Sequence, residues 1–509
     1  MATQKKIIVT SKKNLKSKYA NRFPEVEALL AELIASDLTR DLETLLVYID
    51  DATSAGNAGI TEATAIGPKS CKKAVDDLYM EHLPAYIMIF GSKDIFPFQE
   101  LENPAYDGAA DDDSKIPSDL PYACDAKYGT DISKFTGPGR VVGRLPDITG
   151  TADLNHLKTM IRAIINTKPK EEDKYKNYFS ISAEVWKKST RKSLTKLFGD
   201  DEKMLLAPPA RPGYNSEDLS PLTHFFNCHG LQSYPYYNGG NAIGGPKAVF
   251  SGDLVGKVKH GTVVAAECCF GIELYDPTQV DEFGEIPVRI SIADTYLGNK
   301  AIAFVGSSNL SYGSRTEPEN ADVITMIFIA KILAGASTGR AMLEARQRFL
   351  HDSTPLNAQE MKTVAQFTLL GDPSLHPVKQ APDTDGREFV ENRRLRLMQQ
   401  GNDLTKRVET SRKLERPTRS KKKEIQKEMK EIFRKTKFTG EEPESLHEVI
   451  SKKNASSLTR DGVAGKGPIR FRTFTKKQKR KGKGRQPFKA LVIKETGEKI
   501  LGWKVYHSK

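Results

Sequence analysis

The chain has 509 residues, 38% of them hydrophobic, which allows about two to four domains with folded cores and a polar extension. No run of about 18 uninterrupted apolar residues occurs, which excludes a membrane span of ordinary length, and five cysteines, odd in number and scattered, exclude a disulfide framework. The net charge of +13 is unevenly held: residues 381–509 carry 36 Lys/Arg against 17 Asp/Glu, or +19, while residues 1–380 carry 42 against 48, or −6, so an acidic body adjoins a strongly basic tail.

The apolar run Ile7-Ile8-Val9 near the start is too short for a signal-peptide core and no small-residue cleavage site follows it, so a cytoplasmic protein with reduced thiols is expected. In chain order the patterning predicts a strand at 6–10, a helix at 24–36, a strand at 45–49, a helix at 72–82 and a strand at 85–90. Continuous apolar strands between helices argue for a mostly parallel sheet covered on both faces. Residues 101–150, rich in Asp, Pro and Gly, interrupt this rhythm. A helix is expected at 152–166, and the charged stretch 168–176 reads as a boundary.

The rhythm then restarts, with strands at 178–182, 222–228, 262–266 and 301–305 and helices at 188–198, 321–334 and 339–351. Leu369-Leu-Gly-Asp-Pro-Ser-Leu-His-Pro377 reads as the end of the body. In the tail, 387–398 and 412–437 read as charged helices, 462–486 as a flexible Gly/Lys/Arg-rich stretch, and 487–507 as a hairpin around Glu495-Thr-Gly-Glu498.

Two segments carry chemistry. His224-Phe-Phe-Asn-Cys-His-Gly230 is a strand ending in His-Gly, and Gly261-Thr-Val-Val-Ala-Ala-Glu-Cys-Cys-Phe-Gly271 is a strand ending in Glu-Cys-Cys. Parallel strands deliver their last residues to one carboxyl edge, where α/β proteins place their sites. A Cys and a His there can form a nucleophile and base pair, because the thiolate is the reactive form and a neighbouring His favours it. Gly230 leaves its N–H open to an oxyanion, with the nucleophile's own N–H as second donor. Gly271 is expected to make the turn that exposes the thiol. Taken singly, a buried Cys is more often an inert small hydrophobe and a strand His more often core; the pairing of the two strand ends raises the functional reading. Along the first strand His224, Phe226 and Cys228 share one face, while Phe225, Asn227 and His229 share the other. His224 and Cys228 therefore read as packing residues. Zinc is disfavoured, since Cys228-His229 and Cys268-Cys269 are adjacent and adjacent strand residues point to opposite faces.

Residues 222–276 resemble the cysteine peptidases of the caspase–gingipain clan, which share an apolar strand ending in His-Gly and a second ending in acidic/amide–small–Cys. Ile116-Pro-Ser-Asp119, Gly143-Arg-Leu-Pro146, Gly306-Ser-Ser-Asn-Leu-Ser-Tyr-Gly313 and Leu370-Gly-Asp-Pro-Ser374 are similar to segments of the gingipain-type branch. The resemblance covers roughly residues 1–380 and not the tail. It implies a caspase/gingipain-like α/β fold of mostly parallel sheet flanked by helices, in two packed subdomains. These are a scaffold at 1–168 and a catalytic half at 176–380, followed by the basic extension at 381–509. It implies an endopeptidase acting through an acyl-enzyme without a cofactor, with His229 as base and Cys269 as nucleophile. Cys268 then takes the small position. The Cys-x-x-Gly spacing of some members makes Cys268 the alternative nucleophile.

The same resemblance places Glu267 in the pocket for the residue preceding the cleaved bond, where its charge would favour Arg or Lys; an internal pairing of Glu267 is the competing reading. Ser307, Ser308, Asn309 and Glu184 are further wall candidates by position. The acidic loop Asp107-Gly-Ala-Ala-Asp-Asp-Asp113 offers carboxylates to Ca2+ without EF-hand spacing, and a solvated loop is the plainer expectation. Lys421-Lys-Lys423 and residues 476–485 are basic patches suited to nucleic acid, an acidic protein partner or pseudosubstrate regulation, and otherwise a solvated tail. The rival to a working peptidase is a silent or latent peptidase-like adaptor that binds nucleic acid or an acidic partner through this tail.

Overall fold

The computed structural model describes residues 4–241, 244–279, 289–379, 388–414, 423–450, 468–478, 487–497 and 499–509. In chain order its strands are β1 (Gln4–Thr10), β2 (Leu42–Tyr48), β3 (Tyr86–Phe90), β4 (Gln99–Glu102), β5 (Lys115–Ser118), β6 (Val142–Leu145), β7 (Tyr178–Ala183), β8 (Met204–Ala207), β9 (Thr223–Asn227), β10 (His229–Gly230), β11 (Tyr236–Asn238), β12 (Lys247–Phe250), β13 (Val263–Ala266), β14 (Ala303–Ser307), β15 (Tyr312–Gly313) and β16 (Phe367–Gly371). The tail adds β17 (Thr410–Lys413), β18 (Glu444–Ile450), β19 (Arg470–Lys477), β20 (Phe488–Glu495) and β21 (Ile500–Ser508).

Ten body strands form one sheet in the order β2-β1-β3-β6-β16-β14-β13-β9-β7-β8. Neighbours run parallel on either side, and the two sides meet antiparallel where β16 pairs with β14. The two expected α/β units are thus halves of a single sheet, and the stretch 168–176 is a crossover that includes the short helix Asp173–Lys176. Strands β3, β9, β13, β14 and β16 are buried at every position, which is why they lack polar alternation. Helices cover both faces: Phe23–Leu38 buries Val26, Leu29, Leu30 and Leu33, and Ala321–Leu333 buries Ile324, Phe328, Ile329 and Ile332.

Three of the family-like segments are structural. Arg144, on β6, is fully buried and grips both oxygens of Asp119 at 2.9 and 2.6 Å while donating to the carbonyls of Gly91 and Phe96. Asp372 pairs with Lys6 at 2.6 Å and accepts from Ser374. These charges are buried but matched, as buried ions must be.

The sequence reading misplaced several elements. The stretch 369–377 closes the body in chain order, and its strand β16 lies at the centre of the sheet. The preceding helix Ala358–Gln366 is buried along its whole length, polar residues included, so no amphipathic period announces it. The tail helix at 387–398 extends over Glu388–Arg407. The stretch 412–437 divides into β17 and the helix Lys423–Thr436. The stretch 462–486, read as flexible, contains β19, with Phe471 and Phe474 buried and Arg472 neutralised by Glu495 and Glu444. Positions 421–422, 461–467 and 479–486, which include much of both basic patches, lie outside the described residues. Strands β20 and β21 pair antiparallel across Glu495 and Ile500, as expected for the hairpin. The tail strands form a six-stranded sheet with body strand β15, in the order β15-β21-β20-β19-β18-β17. The acidic loop is not merely solvated: Asp111 is buried against Lys362 (2.7 Å) and the Tyr312 hydroxyl (2.7 Å), and Asp113 accepts from the Leu310 N–H. Among the described residues no group of three or more His, Cys, Asp or Glu side chains is arranged to hold a metal.

Candidate active site

Strands β9 and β13 are parallel neighbours, with Phe226 opposite Ala266. Their ends therefore bring His229-Gly230 and Glu267-Cys268-Cys269 to one edge. Alternation sorts the side chains there. On one side Cys228 and Cys268 enter the hydrophobic core, the Cys228 N–H lying 3.4 Å from the Cys268 sulfur. His224 belongs to the same side and bonds Tyr296 Oη at 2.7 Å. On the other side lie Asn227, His229, Glu267 and Cys269, and Cys269 joins a separate apolar cluster with Leu310, Tyr312, Phe488 and Tyr506.

The Cys269 sulfur accepts the Ser311 N–H at 3.2 Å, and Ser311 Oγ donates to the Glu267 carbonyl at 2.9 Å. Burial pushes the Cys269 thiol up to about 11, against the lowering effect of the Ser311 N–H. His229 is 2% exposed and neither ring nitrogen has a hydrogen-bond partner among the described residues. Burial, then the positive charges of Arg315 and Lys509, lower its pKa to about 3, so the imidazole is neutral at pH 7. The Trp186 ring lies 5.8 Å from it. Gly230 is pressed on the Cys269 backbone: a Cβ there would stand 1.7 Å from the Cys269 carbonyl oxygen. The turn after Cys269 is made by Phe270 at φ +53° and not by Gly271, whose φ is not left-handed. Bonds from Phe270 N–H to Asn309 O and from Gly271 N–H to Cys268 O hold this strained residue.

Glu267 is fully buried and takes the internal pairing that was the competing reading. Its carboxylate meets Lys509 Nζ at 2.5 Å and Thr325 Oγ1 at 3.2 Å. Burial and the adjacent Asp322 carboxylate push its pKa up, and Lys509 opposes them. The other wall candidates stand elsewhere. Ser307 Oγ donates to the Asn309 carbonyl. Ser308 and Asn309 line a separate cleft of about 270 Å3 with Phe270, Gln232 and Glu273, because the chain turns away after β14. Glu184 faces outward and accepts from Asn241 at 2.8 Å, while Trp186 in the same turn is 1% exposed. The recess beside Glu267 is formed instead by Asn227, Asp322 and Trp186, none of which the motif reading singled out. Asp322 sits in the first turn of the helix Ala321–Leu333, with no spacing cue to β13; Asn227 shares its strand face with His229, and that alternation was the available signal.

Residues 3–378 match peptidase family C25. The chain belongs to that family, the gingipain family. It is a cysteine-type peptidase, a hydrolase, and its substrates are proteins or peptides. Among solved structures, a protease is similar at 14% identity with a TM-score of 0.48, covering 75% of this chain and 80% of its own. The Saccharomyces cerevisiae separase–securin complex is similar at 12% identity with a TM-score of 0.30, covering 46% of this chain and 14% of that one. No curated protein sequence matches the peptidase. No helix among the described residues is long and apolar enough to cross a membrane.

Proposed function

We propose that the peptidase is an endopeptidase that uses Cys269 as nucleophile and His229 as its proton-transfer partner, and that it cleaves after basic residues. The observation that carries this reading is the sorting of the strand ends. Asn227, His229, Glu267 and Cys269 share one side, while Cys268 is packed with Cys228 in the core. An inert buried thiol is the expected fate of a cysteine so placed.

In the proposed reaction His229 takes the thiol proton as the sulfur attacks the scissile carbonyl carbon. The N–H groups of Gly230 and Cys269 hold the resulting oxyanion. Collapse expels the amine, which receives the proton from His229, and leaves a thioester on Cys269. Water, deprotonated by His229, then releases the acid and regenerates the thiol. Glu267 would draw a cationic side chain into the recess that precedes the cleaved bond. No step calls for a metal or cofactor. The five cysteines, all buried and none in a disulfide, suit a reducing compartment, and we place the enzyme in the cytoplasm on that ground.

The test is cleavage of a peptide library by the full chain with Cys269→Ala, Cys268→Ala and His229→Ala in parallel. Loss in Cys269→Ala and His229→Ala with retention in Cys268→Ala is expected. Loss in Cys268→Ala with retention in Cys269→Ala would move the nucleophile into the core and refute the assignment.

A further inference from the structure

The recess beside Glu267 is filled by the chain itself. Strand β21 runs antiparallel to β15, pairing Ser508 with Tyr312 and His507 with Gly313. The Lys509 N–H then donates to the Ser311 carbonyl at 3.0 Å. Ser311 is the residue whose own N–H touches the Cys269 sulfur. A peptide strand laid on Ser311–Gly313 in this register brings the backbone of the residue at position 509 beside Cys269.

The side chain goes where a substrate side chain would go. Lys509 is fully buried, and its Nζ meets Glu267 at 2.5 Å, Asn227 Oδ1 at 3.0 Å and Asp322 Oδ1 at 3.1 Å. An ammonium has three N–H donors, and three acceptors receive them. The Trp186 ring lies 5.2 Å from the same nitrogen, within range of a cation–π contact. Gly313 gives passage to the stem: a Cβ there would stand 1.9 Å from Lys509 Cε. A guanidinium in this recess would bring five donors to the same three acceptors. Without a cation the two buried carboxylates repel each other and one is driven to hold a proton, so the recess favours a cation.

We propose that residues 507–509 occupy the peptidase's own substrate groove, with Lys509 in a lysine-selective pocket of Glu267, Asp322 and Asn227, and that a lysine-bearing peptide reaches Cys269 only by displacing them. This rests on the endopeptidase reading for its catalytic consequence, but the binding claim stands without it. Tyr506 is fixed by Asn357 at 3.1 Å and by β20, so release of residues 507–509 breaks the His507–Lys489 pair and the Ser508 Oγ bonds to Phe488 while the rest of the sheet persists. A tethered occupant competes at an effective concentration on the order of millimolar, well above a peptide substrate at tens of micromolar.

The experiment has two readouts on the full chain. The first is hydrogen exchange at residues 507–509 in the Cys269→Ala background, with and without the peptide acetyl-Tyr-His-Ser-Lys-Gly-Gly-amide and its arginine counterpart. The lysine peptide is expected to speed exchange there about tenfold or more, and the arginine peptide to need about tenfold higher concentration. The second is peptide hydrolysis by Lys509→Ala and Lys509→Gln, expected to exceed the unsubstituted enzyme about tenfold at low substrate. Gly313→Ala guards against a misfolded variant: it expels Lys509 and also bars an incoming lysine, so exchange rises with no gain in hydrolysis. Unchanged exchange and unchanged hydrolysis in both Lys509 variants would overturn the proposal. Equal potency of the arginine peptide would overturn the lysine selectivity. If exchange responds as described but no variant hydrolyses any peptide, the groove and its occupant stand and the endopeptidase reading falls.

Discussion

Replacing Arg144 with Met tests whether the family-like segments outside the active site serve the fold. Met keeps an unbranched apolar stem in the fully buried site, but removes both bonds to Asp119 and the donors to the carbonyls of Gly91 and Phe96. It also removes the cation 4.1 Å from the Phe98 ring. Breaking one partner of a buried pair costs about 3–5 kcal/mol, because a charge is left uncompensated. A carbonyl left without a donor adds about 1 kcal/mol more. Removing both charges in Arg144→Met/Asp119→Leu leaves only the carbonyls and the altered packing, so much of the loss should return, with a residual cost of about 2 kcal/mol. The assay is the urea midpoint of each variant by circular dichroism, with the double variant closing the cycle. A single-variant cost under about 1 kcal/mol, or a double variant no better than the single, would refute the reasoning.

Three further outcomes follow from the geometry. Gly230→Ala should abolish peptide cleavage with the sheet intact by circular dichroism, since its Cβ would fall 1.7 Å from the Cys269 carbonyl oxygen; an active Gly230→Ala enzyme would contradict the described contact. Glu267→Gln should lower cleavage after Lys and Arg about tenfold or more relative to uncharged residues, as loss of a buried charge-assisted bond implies; an unchanged preference would remove Glu267 from specificity. Burial raises the Asp294 carboxyl to about 7. The stability from its neutral form is full below the unfolded value near 3.8 and is lost as pH rises through 7. Asp294→Asn has no such dependence, so its stability relative to the natural chain should grow by about 3 kcal/mol between pH 5 and 8. A pH-independent difference in urea midpoint would show that Asp294 ionises normally in the fold.

Much of this was legible in the sequence because the signals were local. Largely apolar runs marked β3, β13 and β14, the His224–Gly230 motif marked β9, and two-residue alternation was enough to separate His224 and Cys228 from His229. What was lost depended on distant partners. The helix Ala358–Gln366 is buried with its polar residues satisfied by far parts of the chain, as Lys362 is by Asp111, so periodicity could not find it. Strand β19 was masked by its basic residues, three of whose charges are met by carboxylates: Arg470 by Glu448, Arg472 by Glu444 and Glu495, and Lys476 by Glu442. The recess was only one-quarter visible: Glu267 stood in a motif, while Asn227, Asp322 and Trp186 converge on it from three other elements. Gly271 attracted the turn that Phe270 makes, because sequence favours glycine at a positive φ and here hydrogen bonds to Asn309 and Cys268 hold a bulkier residue.

The most direct test of the central claim is to treat the full chain with a lysine-bearing acyloxymethyl ketone, which alkylates the nucleophilic sulfur of a peptidase, and to map the adduct by mass spectrometry. The account expects a single adduct on Cys269, formed in Cys268→Ala and lost or strongly slowed in His229→Ala. An adduct on Cys268, or equal labelling with and without His229, would contradict it.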